Sequence, residues 1–208
     1  MNRARIAATV AFAGIALLGA NLASATTVQK FTLGDLAKKS SAIVLAKVDD
    51  QYSRWDEGKK EIYTYITLRV SEPIKGAKSE SPTKGPKNET TITIRQLGGT
   101  VDNISSIVPG MPSFKNGEEV VVFLSANDAA GYPLVMGLQQ GKYSVYTDKD
   151  GLKHVRNDVD GLTRISPDGS MSEARVSDKM PLNAFLDGIK TQLDLAGKVE
   201  VDPTTPTE

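Results

Sequence analysis

The chain has 208 residues, with 25 basic and 25 acidic side chains, one histidine and no cysteine. The absence of cysteine excludes a disulfide framework, a thiolate zinc site and a cysteine nucleophile. The formal net charge of zero argues against a protein that mainly binds nucleic acid, because such proteins carry a basic stripe. The length is that of one domain with a core of ordinary size.

The N-terminal residues 1–25 have the pattern of a secretory signal peptide. Arg3 and Arg5 form a short basic start, and residues 6–20 are all apolar or small. This run is shorter than the roughly 20 residues of a membrane-spanning helix, and the small residues that end at Ala25 resemble a cleavage site. We expect cleavage after Ala25, which leaves a mature chain that begins at Thr26 with net charge −2 and has no membrane span. The protein is therefore expected to be exported, to the periplasm or the extracellular space.

A short helix is predicted near the start of the mature chain. Thr32 suits an N-cap, and Asp35 stands three residues later, as in a capping box. Phe31 and Leu36 occupy the two positions of a hydrophobic staple. The helix is expected to end near Ser40.

Strand patterns dominate the chain from residue 42 to residue 156. The nearly continuous apolar run 42–48 predicts a strand that is buried on both faces. The alternation of apolar and polar residues over 62–70 is typical of a half-buried strand. The run 119–124 is the most apolar of the mature chain, so we expect it at the centre of the sheet. Shorter strands are predicted at 90–95, 134–136, 142–146 and 152–155, and a hairpin turn is predicted at 146–151.

Of the remaining segments, one has a helical pattern and the others have few apolar residues. Residues 75–89 are expected to form a solvated loop, and residues 157–180 an irregular excursion with few strands. A C-terminal helix is predicted over 181–197, because its apolar residues fall at helical spacing. The Pro-containing tail 198–208 is expected to be disordered.

The number of short strands, with one helix at each end, predicts a mainly β protein. We expect one β-barrel domain over 26–156, followed by the excursion and the C-terminal helix. A β-sandwich is the alternative, since the number of strands does not distinguish the two architectures.

Three stretches within residues 31–147 together carry a family resemblance. Their motifs are 41–48, Trp55-Asp56, 62–67, Ile74-Lys75-Gly76, Gly98-Gly99, 108–114, Gly117-Glu118, Phe123-Leu124 and 137–143. In this combination the chain resembles a family of exported bacterial proteins of unassigned function. Similar segments are sometimes associated with matrixin-like metalloproteases.

A more distant likeness links the chain to the tissue inhibitors of metalloproteinases and the netrin-like modules. It rests on the order of strands around 42–48, the long strand that follows, and the Lys75-Gly76 ending. The likeness implies an oligonucleotide/oligosaccharide-binding (OB) type of barrel. Those inhibitors chelate zinc through the amine and carbonyl of an N-terminal cysteine that disulfides hold in place. Here Thr26 takes that position and no disulfide can form, so the inhibitory mechanism does not carry over directly.

The candidates for catalysis and metal binding are few. His154 is the only imidazole, and no nucleophile motif accompanies it. Residues 148–151 match only the centre of a calcium loop, so a plain turn is the better interpretation. The acidic pairs at 49–50 and 56–57 flank a hydrophilic loop, where solvated charges are more common than glycosidase pairs. We therefore predict no catalytic residue, no metal site and no cofactor.

Candidate binding residues lie in two loops and at the expected new N-terminus. Tyr52, Trp55 and Tyr63 surround one loop, where they either form a recognition patch or cover the end of the core. Gln139 and Gln140 lie between two glycines, in a binding loop or in a hairpin whose backbone requires glycine. The structural role is favoured for this second loop.

These features favour an exported, non-enzymatic binding module. Its partner is expected to be an envelope or extracellular protein such as a protease, and not nucleic acid. One alternative is a secreted metalloprotease inhibitor that acts through Thr26. A second alternative is a hydrolase that depends on carboxylates.

Overall fold

The computed structural model describes residues 26–76, 83–84, 90–157, 159, 162–166, 168–173 and 179–199. The predicted signal peptide lies outside these residues, as does the predicted tail 198–208 except for residues 198–199, which are helical rather than disordered. The described part contains the helices α1 (Leu33–Lys39) and α2 (Leu182–Val199), and a short 3-10 helix at Leu138–Gly141. Its strands are β1 (Thr26–Gln29), β2 (Ala42–Trp55), β3 (Ile62–Lys75), β4 (Thr83–Lys84), β5 (Thr90–Leu97), β6 (Gly99–Val101), β7 (Ile104–Ser106), β8 (Glu119–Asn127), β9 (Pro133–Val135), β10 (Lys142–Thr147), β11 (Lys153–Arg156), β12 (Leu162–Ile165), β13 (Met171–Glu173) and β14 (Met180–Pro181).

One large antiparallel sheet organises the fold. Its strand order is β14-β11-β10-β8-β2-β3-β5-β4, and β9 pairs separately with β8. Two smaller sheets, β1-β12-β13 and β6-β7, accompany it. The mainly β prediction with two helices is therefore confirmed. Within the described residues, no helix is long and apolar enough to cross a membrane.

The sheet does not close into a hydrogen-bonded barrel within the described residues. Strand β9 lies beside β5, but its ladder bonds go only to β8. The physical reason is the shortness of β9 and the proline at its start, since Pro133 has no N–H to donate. The expectation of a closed barrel is corrected to an open sheet in which β9, paired with β8, comes close to β5.

The two faces of the sheet carry separate hydrophobic clusters, which we call the inner cluster and the helix-side cluster. On β2, Val44 belongs to the inner cluster, whereas Ile43 and Leu45 belong to the helix-side cluster. Strand β8 alternates in the same way and lies between β10 and β2. Residues 43–46 of β2 and 120–124 of β8 are buried. This agrees with the predicted burial of the first run on both faces, and β8 lies in the middle of the strand order as expected.

Helices α1 and α2 cover the helix-side cluster. Thr32 caps α1 and forms a complete capping box with Asp35, which confirms the predicted start. The Lys75 Nζ donates to the Ala37 carbonyl at 2.8 Å and to the Lys38 carbonyl at 3.0 Å, so β3 holds the C-terminal end of α1. Helix α2 buries one apolar face, formed by Leu182, Phe185, Leu186 and Ile189.

A β-bulge in β2 determines what the β2–β3 hairpin presents to solvent. Val48 lies opposite Leu68, but Asp50 lies opposite Thr67, so Asp49 is an extra residue. An extra residue reverses the alternation of side chains beyond it. Residues Gln51, Ser53 and Trp55 consequently share the inner face, and Tyr52 and Arg54 share the helix-side face.

Three segments differ from their predictions. Residues 157–180 contain β12, β13 and β14, and β12 pairs in parallel with the distant β1. Such short polar strands have no apolar alternation that would reveal them. Two parts of the predicted loop 75–89 belong to strands. Strand β3 continues to Lys75, and β4, which pairs with β5, occupies residues 83–84. Residues Leu138–Gly141 form a 3-10 helix rather than a hairpin. Gly137, which precedes this helix, and Leu138, which begins it, both have positive φ.

Candidate functional site

Four of the six tyrosines lie close together near the end of the β2–β3 hairpin, three on β2 and β3 and one, Tyr132, in the turn before β9. On the helix-side face, Tyr52 lies opposite Tyr65, and Tyr65 lies opposite Arg95 of β5. Directly opposed residues of an antiparallel pair point to the same side. We call this surface the Tyr–Arg patch, and its members are Tyr52, Arg54, Tyr63, Tyr65, Arg95 and Tyr132.

The rings of the patch form a supported layer. The Tyr52 and Tyr65 rings stack with 5.3 Å between centroids and 12° between planes. The Tyr132 ring meets Tyr65 edge-on at 5.2 Å, an arrangement that aromatic pairs prefer. Tyr65 is only 5% exposed, whereas Tyr52 is 49% exposed. The buried Tyr65 ring therefore supports the exposed Tyr52 ring.

Arg54 lies over the buried ring. Its Cζ is 4.5 Å from the Tyr65 ring centroid, within the range of a cation–π contact. Its Nη2 also donates to the Tyr65 hydroxyl at 3.2 Å. This hydrogen bond is the main cause that raises the pKa of Arg54 above its ordinary value.

Arg95 is held differently, because a carboxylate neutralises it. Its Nε and Nη2 donate to Asp128 Oδ2 at 3.1 Å and 2.6 Å. Its Cζ lies 4.3 Å from the Tyr63 ring centroid. The other oxygen of Asp128 accepts the N–H of Ala130 at 2.9 Å and of Tyr132 at 3.0 Å. Asp128 therefore shapes the β8–β9 turn and fixes one edge of the patch.

Acidic groups also order the β2–β3 turn. Asp56 Oδ1 accepts the N–H of Lys60 at 2.6 Å and of Glu61 at 3.0 Å. Hydrogen bonds from the Glu61 and Lys60 backbone hold the pKa of Asp56 below its usual value. The Tyr63 hydroxyl donates to Glu61 Oε2 at 2.6 Å, and this bond is the first cause that raises the pKa of Tyr63. The turn thus holds the Tyr63 hydroxyl through Glu61.

The opposite face of the hairpin carries a shallow polar groove of about 460 Å³. The amide of Gln51 donates to the Phe114 carbonyl at 2.9 Å, and that of Gln96 donates to the Pro112 carbonyl at 3.1 Å. The Thr64 hydroxyl donates to the Gly98 carbonyl at 2.7 Å. These side chains hydrogen-bond to backbone carbonyls of neighbouring segments, so their role in the groove wall is largely structural.

An ion pair between the buried Lys142 and the partly buried Glu118 anchors the segment that forms one wall of this groove. Lys142 Nζ donates to Glu118 Oε1 at 2.6 Å and to the Ser144 hydroxyl at 3.1 Å. It also lies 5.1 Å from the Phe114 ring centroid. Glu118 Oε2 accepts the Lys115 N–H at 3.0 Å. All of these contacts are internal, which gives the pair a structural role.

The structure divides the aromatic residues that the sequence grouped together. Tyr52 and Tyr63 join the Tyr–Arg patch, but Trp55 lies on the inner face opposite Ile62. The sequence interpretation missed four members of the patch, which are Arg54, Tyr65, Arg95 and Tyr132. Spacing by two within a strand could have added Arg54 to Tyr52 and Tyr65 to Tyr63. The other two come from distant strands, and no local pattern indicates them.

The remaining predicted binding residues lie elsewhere. Thr26 begins β1, in register with Leu162 of β12. Gln139 is in the 3-10 helix, where its amide lies 3.4 Å from the Met111 carbonyl. Gln140 is only 3% exposed; its side chain accepts the Phe31 N–H at 3.0 Å and donates to the Gln29 carbonyl at 2.9 Å. Gln140 is therefore a structural link between the N-terminal segment and the sheet.

The candidate catalytic groups are also placed. His154 Nδ1 lies 3.2 Å from the Leu152 carbonyl and 3.5 Å from Asp148 Oδ2. Asp148 Oδ1 accepts two backbone N–H groups of its turn, which is a turn-forming role. Asp49 pairs with Arg69. Among the described residues, no group of three or more His, Asp or Glu side chains is arranged to hold a metal ion.

No protein-family model matches this chain, and no curated protein matches it either.

Proposed function

We propose that this chain is an exported, non-enzymatic module that binds another protein through the Tyr–Arg patch. The proposal is carried by one observation, which is the convergence of four of the six tyrosines with two arginines in one cluster whose outer members, Tyr52 and Arg54, are exposed. Tyr and Arg, with Trp, are the residues most enriched where binding energy concentrates in protein interfaces. Tyrosine rings also lose little conformational entropy when a partner covers them.

The rigidity of the patch supports the same function. Tyr65 is packed between Tyr52 and Tyr132, and Arg54 is fixed over it. Side chains that already occupy their bound positions reduce the entropic cost of association. An ordinary solvated surface of mobile lysines and glutamates has no such order, so the patch is better suited to recognition than to solubility.

The finer description of the fold is part of the proposal. We assign the sheet to the OB type found in the inhibitors of metalloproteinases and the netrin-like modules. The long β2–β3 hairpin, the inner cluster and the approach of β9 to β5 support it. Membership of the exported bacterial family, and a partner in the envelope or outside the cell, rest on the resemblance and on the pattern of residues 1–25.

The two alternatives have less support. Zinc chelation requires the amine and the carbonyl of Thr26 to reach another protein, whereas β1 begins at Thr26 and pairs with β12. A hydrolase requires free carboxylates in a cleft, whereas Asp49 binds Arg69 and Asp56 caps a turn. The patch needs neither kind of chemistry.

The test compares the mature protein with a double variant, Tyr52→Ala with Tyr132→Ala. Both proteins are immobilised and exposed to the exported proteins of the producing cell, and any captured partner is purified and titrated by calorimetry. We expect the double variant to bind at least about tenfold more weakly, because truncation of an interface hot spot costs about 2 kcal/mol or more.

The matched control is Leu152→Ala with Leu195→Ala, which removes two exposed apolar side chains outside the patch. Circular dichroism establishes that all three proteins are folded. A partner that binds the double variant as tightly as the parent protein would show that the patch is not the binding surface.

A further inference from the structure

The two arginines of the Tyr–Arg patch differ in their charge balance. Arg95 is neutralised by Asp128 through two nitrogens. Arg54 is exposed, and the ion pairs found among the described residues do not include it. The patch therefore presents one positive charge that the rest of the described chain leaves without a carboxylate.

The Arg54 guanidinium is also held in a defined orientation. The Tyr65 ring lies beneath it, with 4.5 Å between Cζ and the ring centroid, and the Tyr65 hydroxyl takes one donor at 3.2 Å. The other N–H groups of the planar fork remain for a further acceptor. A guanidinium fixed in this way suits a carboxylate, which it binds with two parallel hydrogen bonds.

The surroundings of Arg54 restrict the kind of anion that fits. Glu61 holds the Tyr63 hydroxyl at one side of the patch, and Asp128 lies at the other. A long polyanion such as nucleic acid or a sulfated polysaccharide needs several unpaired cations in a row, whereas Arg95 is already paired with Asp128 and only Arg54 of the two patch arginines has no carboxylate partner among the described residues. A single carboxylate next to an apolar side chain matches this one charge.

We infer that the Tyr–Arg patch recognises an acidic segment of a partner protein. One Asp or Glu carboxylate of that segment pairs with Arg54, and a neighbouring apolar or aromatic side chain packs on Tyr52 and Tyr132. This inference rests on the proposed function, because it names the chemistry of the partner at the same patch.

The experiment uses a phage-displayed library of random peptides as its probe. The library is selected on the mature protein, and peptides that no longer bind the Tyr52→Ala variant are retained. We expect these peptides to share an Asp or Glu beside an apolar residue. Each is then synthesised in two forms, with the carboxylate and with the corresponding amide.

The expected result is a coupling between the peptide carboxylate and Arg54. On the parent protein, the amide form should bind about tenfold more weakly, since a close charge pair contributes about 1.4 kcal/mol or more. On Arg54→Gln, the two forms should bind equally. Arg54→Lys, which keeps the charge but loses the fork, should recover only part of the difference.

The outcomes separate the inference from the proposed function. Peptides that depend on Tyr52 but lack acidic residues, or that ignore Arg54→Gln, overturn the inference and leave the patch as a binding surface. A selection that yields no peptide dependent on Tyr52 counts against both. Binding of heparin that requires Arg54, in place of peptides, would overturn the inference in favour of a polyanion.

Discussion

Asp128 is the residue that joins the two parts of the Tyr–Arg patch. One of its carboxylate oxygens binds Arg95, and the other accepts two backbone N–H groups of the β8–β9 turn. Burial raises the pKa of Asp128, but the Tyr132 N–H and the Arg95 guanidinium lower it, and the net pKa lies below its usual value. The folded state therefore favours the ionised carboxylate, which links stability to pH.

Asp128→Asn should lower the free energy of unfolding by about 0.5–1 kcal/mol at neutral pH, since the pair is partly exposed to solvent. The amide keeps an oxygen for the turn but loses the charge that attracts Arg95. Because the native pKa of Asp128 lies below the unfolded value of about 3.9, the stabilisation is present above that value and is lost as the pH falls through the native pKa. Urea denaturation at about pH 7 and then at successively lower pH should show the gap and then its narrowing.

The control for this measurement is Asp194→Asn, an exposed carboxylate on α2. Its effect should stay within about 0.5 kcal/mol at each pH, as for most surface changes. A difference between Asp128→Asn and the parent protein that does not change with pH would mean that the charge of Asp128 plays no part in stability.

Individual residues show where prediction from the sequence succeeds and where it fails. Thr32 and Asp35 act within one turn of helix, so their spacing alone predicted the capping box. Gln140 binds the backbone of Phe31 and Gln29, more than one hundred positions earlier in the chain. A bond of that range leaves no local pattern, so the sequence favoured a structural role for this loop without showing that the Gln140 side chain provides it.

At the scale of elements, α2 illustrates how one amphipathic face supports the sheet. Phe185 packs on Tyr143 with 4.4 Å between ring centroids, and Ile189 is fully buried in the helix-side cluster. Most of the stability of such a helix comes from this packing rather than from its own hydrogen bonds.

Ile189→Ala should reduce the free energy of unfolding by about 2–4 kcal/mol, because it removes buried methyl groups and leaves a cavity. Leu195→Ala on the same helix should change it by less than about 0.5 kcal/mol, because Leu195 is 52% exposed. Urea denaturation of the two variants measures the difference. Equal effects would show that the buried face of α2 does not hold the helix on the sheet.

The strands were easier to predict than the faces they present. The alternation over 62–70 and the apolar runs of β2 and β8 correctly indicated strands. The bulge at Asp49 then reversed the alternation of β2, which no hydrophobic pattern revealed because the residues beyond it are mostly polar. Tyr52 and Trp55 are three positions apart, and residues at an odd spacing in one strand point to opposite faces of the sheet. The prediction grouped them because they surround one loop and did not use this alternation.

At the scale of the whole molecule, the two hydrophobic clusters are built on the same central strands. Val44 of β2 contributes to the inner cluster and Ile43 to the helix-side cluster, and β8 does the same with Val122 and Val121. Unfolding of β2 or β8 would therefore expose both clusters. The patch at the hairpin end and α2 on the helix-side cluster therefore depend on one shared core, although they lie on different parts of the chain.

The shared core predicts that the described parts of the chain unfold in one cooperative transition. Trp55 is the only tryptophan and ends β2 at the hairpin, whereas α2 supplies most of the helical residues described. Tryptophan fluorescence, excited where tyrosine does not absorb, and far-ultraviolet circular dichroism thus report on separate regions. In urea, their transitions should have the same midpoint and slope, as expected of two-state unfolding. A fluorescence transition at lower urea would show that the hairpin opens before the core, and the Tyr–Arg patch would then be a locally unstable surface rather than a rigid one.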